Sequence, residues 1–390
     1  MNSPPQQSPG PQARWALLAA QTTIGLREIP QSAFVLLYLQ QQALAPSQIA
    51  QIVSGAQIAG MAVAFFGGTL SQRYGSKWVY LLGLALSITA SLVFFSADVW
   101  LIAAAWMIGG AGAALYNVGS SGYLTLVGQA GGFGTLTALY ILASTVGGAV
   151  GHPIASQIIA GYTYQGYGVA MLGLVTVTLV IAGIGMPRMV ATPTTTHAPR
   201  SVWGLFRSRH VWAISVLRSC ATVNYGAMLL VVPLLLDAQT HDPQLVAWYG
   251  SATLIVASIA QFAAGRAADR WGARWPTVVS FGVLVAAGIG MALTHETIVG
   301  LFVGGVVSIA AAWALATLMF VWVADGIPAV DHPPLFGLLY AVWSISMIVG
   351  QLTAGWLVEL DPAWVFVVVG TLNLAAIGVG WRFYGGQTPD

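Results

Sequence analysis

Three charged residues lie inside long apolar runs of this chain: Arg27, Glu28 and Arg218. A charge at the centre of a bilayer costs about 2.5–3.5 kcal/mol even on a lenient insertion scale, so each one is a functional candidate. Glu28 is the first candidate proton carrier, because a glutamate that alternates between a dry environment and one near a base changes its protonation state. Arg27 and Arg218 are candidate substrate contacts.

The same residues also allow a structural interpretation. Glu28 would then pair with Arg27 or Arg218 and only neutralise buried charge. Arg218 also lies close enough to the start of its run for its long side chain to reach the membrane surface. His152 is the second candidate proton carrier, since imidazole titrates near neutral pH. Its structural alternative is a hydrogen-bonding role in packing, and the sequence leaves both alternatives open.

Further candidate substrate contacts are amide and aromatic side chains that lie inside predicted helices rather than at their ends. Aromatic side chains at this depth suit a pocket for an apolar or aromatic substrate. Plain packing explains any single one of them equally well. The candidates are Asn224, Tyr225, Tyr116, Asn117, Tyr140, Trp313, Tyr340 and Trp343.

The composition defines the environment of these residues. The 390-residue chain is 57% hydrophobic and 6% charged, whereas soluble domains carry about 25% charged residues. Its apolar runs are continuous and close to the ~20 residues that span a bilayer, unlike the alternating ~10-residue segments of a membrane β-barrel. The sequence therefore predicts an all-α membrane protein.

Twelve transmembrane helices in two pseudo-symmetric six-helix halves are predicted. The spans are about 14–39, 46–69, 76–96, 99–121, 134–159, 166–186, 211–236, 244–265, 275–294, 297–323, 334–358 and 362–382. The domains are a disordered cytoplasmic tail (1–12), an N-terminal half (13–186), a cytoplasmic linker (187–210) and a C-terminal half (211–384). With the N-terminus inside, every Lys and Arg outside the spans falls on the cytoplasmic side, as the positive-inside rule requires. Both termini are therefore expected to be cytoplasmic.

A short basic turn occurs twice, 197 residues apart. Glycines at these positions let the chain turn sharply, and the bases lie near anionic headgroups at the cytoplasmic face. The first copy contains Gly68, Arg73, Gly75 and Lys77, and the second contains Gly265, Asp269, Arg270, Gly272 and Arg274. A topology anchor is the simplest interpretation of the turn.

Twelve spans in two halves, with this turn after the second and eighth helices, resemble the major facilitator superfamily. The resemblance covers essentially the whole chain and implies that the turn is a cytoplasmic gate motif. In the first copy Gln72 replaces the aspartate that the family uses to form an ion pair across that gate. The stretch from Gly147 to Pro153 also resembles in part a Gly- and Pro-rich pattern of drug/proton antiporters. Close helix packing is its structural alternative.

The expected function is secondary active transport by alternating access, with proton-coupled export of a small amphipathic or hydrophobic compound as the leading version. The alternatives are proton-coupled uptake of an organic anion, or a non-transporting homologue that acts as a sensor or assembly factor. We expect no enzyme activity, cofactor, metal site or nucleic-acid partner, because no nucleotide loop, metal spacing or nucleophile constellation occurs. We expect a monomer in the cell membrane, the bacterial inner membrane, that interacts with protons, lipid and a small-molecule substrate.

Overall fold

The computed structural model describes residues 11–128, 133–188, 207–327 and 332–384, and these form helices joined by short turns. The predicted tail 1–12 and linker 187–210 lie largely outside the described residues. The helices are α1 (Pro11–Gln41), α2 (Pro46–Tyr74), α3 (Ser76–Ser87), α4 (Thr89–Leu92), α5 (Val99–Gly128), α6 (Phe133–Gly185), α7 (Arg209–Thr240), α8 (Pro243–Trp271), α9 (Arg274–Thr294), α10 (Ile298–Gly326), α11 (His332–Leu360) and α12 (Pro362–Tyr384). A 3₁₀ turn, Val93–Phe95, follows α4.

The number of membrane spans agrees with the prediction of twelve. Nine helical segments among the described residues are long and apolar enough to cross a bilayer, and α6 is one of them. Its 53 residues would extend about 80 Å, more than twice the thickness of the ~30 Å hydrocarbon core. Thr163, at φ 63° and ψ 179°, breaks α6 into the fifth and sixth spans. The helices α1 and α2, with 31 and 29 residues, are each long enough to span the bilayer and complete the twelve.

The loop predicted between the fifth and sixth spans is much shorter than expected. The apolar run of the fifth span ends near residue 159, and that of the sixth span begins near residue 166. Helical backbone nevertheless continues from both sides up to Thr163. Helical backbone persists beyond the apolar run because its hydrogen bonds remain satisfied within the helix at the membrane surface.

The two basic turns have the same backbone conformation. Gly75 joins α2 to α3 at φ 89° and ψ 146°, and Gly272 joins α8 to α9 at φ 75° and ψ 166°. A side chain strongly disfavours this region, so both positions require glycine. The repeat seen in the sequence is therefore a repeat in three dimensions at this point.

The base after each glycine contacts the end of the sixth helix of its own half. Lys77 Nζ donates a hydrogen bond to the carbonyl of Gly183 at 2.7 Å, in the last turn of α6. A cation at this position also opposes the negative end of the helix dipole. The guanidinium of Arg274 lies 4.2 Å from the ring centroid of Trp381, near the end of α12. Both bases thus tie the third span of a half to its sixth span.

The chain folds into two compact units, and one of them contains an unexpected segment. The first unit consists of residues 1–38 and 55–194, and the second of residues 39–54 and 195–390. The amide of Ser47 donates to Glu359 Oε1 at 2.8 Å, and Ser54 Oγ donates to Gln351 Oε1 at 3.2 Å. The start of α2 therefore packs with α11, and Gln40 at the end of α1 donates to the carbonyl of Leu234 in α7 at 3.4 Å.

Glycines in the first unit allow α1 and α6 to pack backbone against backbone. A Cβ atom added at Gly25 would collide with the carbonyl of Ser144, and one added at Gly147 would collide with that of Thr22. A Cβ at Gly151 would likewise meet the carbonyl of Leu26. Close approach of this kind is how small residues stabilise helix pairs in lipid. The glycines from Gly147 to Gly151 therefore have a packing role.

We expect Gly25→Ala to destabilise the first unit, because α1 must move away from α6. The cost of overpacking is about 1–3 kcal/mol, measurable as a lower midpoint of thermal unfolding in detergent. Gly173→Ala is the matched control, since a Cβ at Gly173 meets no atom within 4 Å. Equal midpoints for the two variants would contradict the packing role of Gly25.

Candidate functional site

Arg27 is the most deeply buried charge of the candidate site. Only 2% of its surface is exposed, and its Nη1 donates a hydrogen bond to the backbone carbonyl of Ser87 at 3.3 Å. A buried guanidinium is costly unless its donors are used. Part of that cost is offset by a carbonyl from the third span.

The third span is interrupted next to this carbonyl. The amide of Ser91 bonds to the carbonyl of Ile88 at 2.9 Å instead of the carbonyl of Ser87. The hydroxyls of Ser87 and Thr89 donate back to the carbonyls of Leu84 and Leu86, both at 2.8 Å. Such back-bonding competes with the helix ladder and bends helices. The interruption between α3 and α4 thus makes the acceptor for Arg27 available.

Glu28 differs from its neighbour Arg27 in its surroundings. Its side chain is half-buried, and it makes no hydrogen bond or ion pair with any residue that the structure describes. The predicted structural pairing with Arg27 is not seen as an ion pair there, since Arg27 bonds to Ser87. The predicted pairing with Arg218 would join the two units and stays a prediction.

Tyrosine side chains of the first unit lie around these two charges. Tyr80 and Tyr140 are close enough to Glu28 to interact with it electrostatically, and Tyr167 is close enough to Arg27. The hydroxyls of Tyr80 and Tyr167 are buried without a hydrogen-bond partner among the described residues. Buried hydroxyls are normally paired. Among the described residues, Tyr80 therefore has an unused hydroxyl near Glu28, and Tyr167 has one near Arg27.

Of the other candidates in the first unit, Tyr116 and Tyr140 are placed near this group, whereas Asn117 points elsewhere. The ring of Tyr116 packs edge-on against Tyr80 with centroids 6.4 Å apart, and its buried hydroxyl also lacks a described partner. Tyr140 donates to Ser120 Oγ at 2.8 Å, which in turn donates to the carbonyl of Asn117. The side chain of Asn117 is exposed.

His152 has a hydrogen bond within its own helix. Its Nδ1 lies 2.8 Å from the carbonyl of Gly148, and its side chain is almost fully buried. This contact fits the structural alternative, in which His152 satisfies itself one turn back along α6. A proton-carrying role for His152 stays a prediction.

In the second unit, Arg218 is half-buried on α7, and its Nε is buried without a partner among the described residues. Nearby on the chain, Tyr225 packs edge-on against Trp313 at 6.3 Å between centroids. Tyr340 and Trp343 pack against each other on α11 at 5.6 Å. The four predicted aromatic contacts of this unit thus form two pairs, one within α11 and one that joins α7 to α10.

Asn224 belongs to a buried polar cluster that joins three helices. Its Nδ2 donates to Ser308 Oγ of α10 at 2.9 Å, and its Oδ1 accepts from Asn373 Nδ2 of α12 at 3.3 Å. All three side chains are buried. The amide of Asn224 therefore has an interhelical partner for both its nitrogen and its oxygen, which fits a role in holding the second unit together.

The remaining residues of the turn motif lie at the ends of α2 and α8. Arg73 and Arg270 each lie over the ring of the following residue, Tyr74 and Trp271, at 5.4 and 5.5 Å. Asp269 is exposed. Gly68 and Gly265 are within the two helices, and the side chain of Gln72 is not among those described. A gating role for the motif stays a prediction.

Sequence reasoning missed Ser87, Tyr80, Tyr167, Ser308 and Asn373. Asn373 carried the same signal as Asn224, since both are amides inside apolar runs. Tyr80 and Tyr167 carried the signal used for Tyr116 and Tyr140. The role of the Ser87 carbonyl depends on a helix interruption that no single residue type announces.

We expect Asn224→Leu to destabilise the second unit, because Ser308 and Asn373 both lose their partner. Interhelical hydrogen bonds in membranes contribute about 0.6–1.7 kcal/mol each, so the midpoint of thermal unfolding should fall. Thr371→Val on α12 is the control, since the exposed Thr371 hydroxyl bonds only to the Val367 carbonyl of its own helix. An unchanged midpoint together with weaker substrate binding would instead favour the substrate-contact role of Asn224.

Known proteins place this architecture in a family. The family model described as Major Facilitator Superfamily matches residues 17–237 and again residues 214–390. The chain is similar to the solved structure of a mutant of the nucleoside transporter NupG, with a TM-score of 0.81 and 13% sequence identity. That likeness covers 95% of this chain and 100% of the other. No curated protein sequence matches.

The two matched ranges together span nearly the whole chain, and they overlap in α7. The likeness to NupG concerns the fold, since identity is low. The predicted fold of twelve spans in two six-helix halves is confirmed. The chain belongs to the major facilitator superfamily, and it is a multi-pass membrane transporter rather than an enzyme.

Proposed function

We propose that this transporter couples the movement of a small organic molecule to protons, and that Glu28 carries the proton. The observation that carries the proposal is the half-buried Glu28 without an ion pair or hydrogen bond to any described residue. A carboxyl group within a span is retained at a cost, so it needs a use. Proton binding and release is the simplest use for a group that no partner holds ionised.

The neighbouring Arg27 supports this role by being engaged elsewhere. Its bond to the Ser87 carbonyl leaves Glu28 without the fixed counter-ion that would prevent its protonation. Arg27 is still close enough to act electrostatically on Glu28. If the interruption of the third span changed, Arg27 would act more or less strongly on Glu28. The protonation of Glu28 would then be coupled to the conformation of the third span. Alternating access of two halves around a midplane site supplies such a change.

The proposed substrate class combines hydrogen-bonding groups with an apolar or aromatic body. The free hydroxyls of Tyr80 and Tyr116 supply the polar contacts. The rings of the same two tyrosines, which pack edge-on with centroids 6.4 Å apart, supply aromatic surface in the same unit. A nucleoside has this chemistry, and the NupG structure is described as a nucleoside transporter. Nucleosides therefore belong in the set of test compounds beside amphipathic drugs.

The proposed direction is export, and the setting is a monomer in the cell membrane with both termini in the cytoplasm. The orientation is supported by the bases, because all those outside the spans fall on one side. The glycines from Gly147 to Gly151 have a packing role, so they do not indicate the direction of transport. Direction has to come from the transport assay itself.

We expect Glu28→Gln to abolish substrate-dependent proton flux, because glutamine has the shape of glutamate but carries no titratable proton. The assay uses proteoliposomes with an imposed pH gradient and a pH-sensitive dye inside. Nucleosides, lipophilic cations, neutral drugs and organic anions are added in turn. The flux of Glu28→Gln should fall to that of liposomes without protein, and the sign of the flux relative to the substrate gradient gives the direction.

Glu296→Gln makes the same chemical change in the exposed loop between α9 and α10 and should leave the flux unchanged. Equal flux in wild type and Glu28→Gln would remove Glu28 from the proton pathway. No flux with any compound would favour the non-transporting alternative.

Arg218 supports a second candidate, the uptake of an organic anion. Its Nε is buried without a partner among the described residues, so a substrate carboxylate could complete its hydrogen bonding. In that case Arg218→Gln should reduce anion uptake about tenfold to a hundredfold, since a hydrogen bond to a charged group contributes roughly 1.5–3 kcal/mol. Uptake of a radiolabelled aromatic carboxylate measures this. Arg266→Gln, an exposed base on α8, is the control, and an equal loss in both variants would exclude a specific contact.

A further inference from the structure

A basic cavity lies in the second unit, where α7 begins and α12 ends. Its volume is about 620 Å³, and the side chains of Arg207, Arg209 and Arg382 line it together with Trp212. None of its lining residues is acidic. Three positive charges around one cavity repel each other, and this repulsion is relieved when an anion enters. The cavity therefore has the electrostatics of an anion site.

The start of α7 adds to this character. Ser208 is the N-cap residue and also lines the cavity, and its side chain makes no capping hydrogen bond. The first amides of the helix are therefore left without that acceptor. Backbone amides at a helix start, together with the positive end of the helix dipole, favour a phosphate or carboxylate.

The internal repeat distinguishes these arginines from bases that only set the orientation of the chain in the membrane. With the 197-residue offset, Trp212 corresponds to Trp15, so both halves have tryptophan at this position. The three arginines correspond instead to uncharged positions, namely Gly10, Gln12 and Gly185. Bases needed only for orientation would serve equally well in both halves. The first half has Arg14 and Arg188 near the corresponding helix ends, but no base at these three aligned positions.

The surroundings of the cavity indicate that its ligand comes from the membrane. Trp212 is 57% exposed and Trp381, beside Arg382, is 48% exposed. Exposed tryptophans at helix ends lie at headgroup depth in a bilayer. Trp381 also packs edge-on against Trp275 at 5.9 Å between centroids. An anion bound between Arg209 and Arg382 would therefore lie level with the phosphates of the leaflet.

We propose that this cavity binds the phosphate of an anionic lipid headgroup. The arginines hold the phosphate oxygens, since planar guanidinium groups match phosphate geometry, and Trp212 contacts the glycerol and upper acyl region. The site lies at the predicted cytoplasmic face, where basic pockets between helices take anionic headgroups. It is independent of substrate transport by Glu28.

The test is lipid binding to the purified full-length chain in a neutral detergent, followed by native mass spectrometry and thermal unfolding. Phosphatidylglycerol, phosphatidylcholine and inorganic phosphate are titrated separately. We expect phosphatidylglycerol to bind more tightly than phosphatidylcholine and to raise the unfolding midpoint. Arg209→Gln/Arg382→Gln should weaken its binding about tenfold or more, because each base near an anionic surface contributes appreciably.

The control is Arg188→Gln/Arg266→Gln, which removes two exposed bases predicted on the same face but outside the cavity. Its binding of phosphatidylglycerol should stay close to that of wild type. Equal weakening in both double variants, or equal binding of the two lipids by wild type, would overturn the proposal. If inorganic phosphate alone reproduces the stabilisation in wild type, the lipid source is wrong and a soluble phosphate is the ligand. Should the double variant fold poorly, Arg209→Lys keeps the charge but loses the planar fork, and it should bind phosphatidylglycerol more weakly than wild type.

Discussion

The hydrogen bond from Arg27 to the carbonyl of Ser87 addresses the main constraint on this protein, which is that polar groups in a bilayer must find partners within the chain. A regular third span would use that carbonyl in its own ladder. The interruption between α3 and α4 frees it, and the buried guanidinium gains an acceptor that carries no charge. Among the described residues, Glu28 is then left without an ion pair beside Arg27. One irregular turn in a neighbouring helix thus sets the chemistry of the first helix.

The second unit meets the same constraint with neutral groups. Asn224 joins Ser308 and Asn373 across three helices, at the depth where the first unit has Arg27. The basic turns, by contrast, are built alike in both halves, with glycine in the same positive-φ conformation at Gly75 and Gly272. The scaffold of the repeat is therefore conserved within the chain, whereas the groups in its interior have diverged. Divergence of this kind gives one half the titratable carboxyl group.

The features that sequence reasoning predicted are those whose signal is local. Continuous apolar runs indicated the spans, and the glycine of each basic turn marked a backbone that only glycine adopts easily. A charge inside a long apolar run marked Arg27 as a functional candidate. The interruption at Ser87 was not predictable, because serine and threonine within a span also occur in unbroken helices. The packing of the start of α2 with α11 was missed for a different reason, since it joins positions about 300 residues apart.

Cleavage of the chain between its two halves would separate the residues that make this contact. A polypeptide cleaved in the polar linker would carry Ser47 and Ser54 on one fragment and their acceptors, Glu359 and Gln351, on the other. The C-terminal fragment would therefore lack residues 39–54, the part of its compact unit that the N-terminal fragment carries. The start of α2 therefore completes the second unit, although it belongs to the N-terminal half of the sequence. The two halves of the sequence are related as repeats, yet they are not separate folding modules.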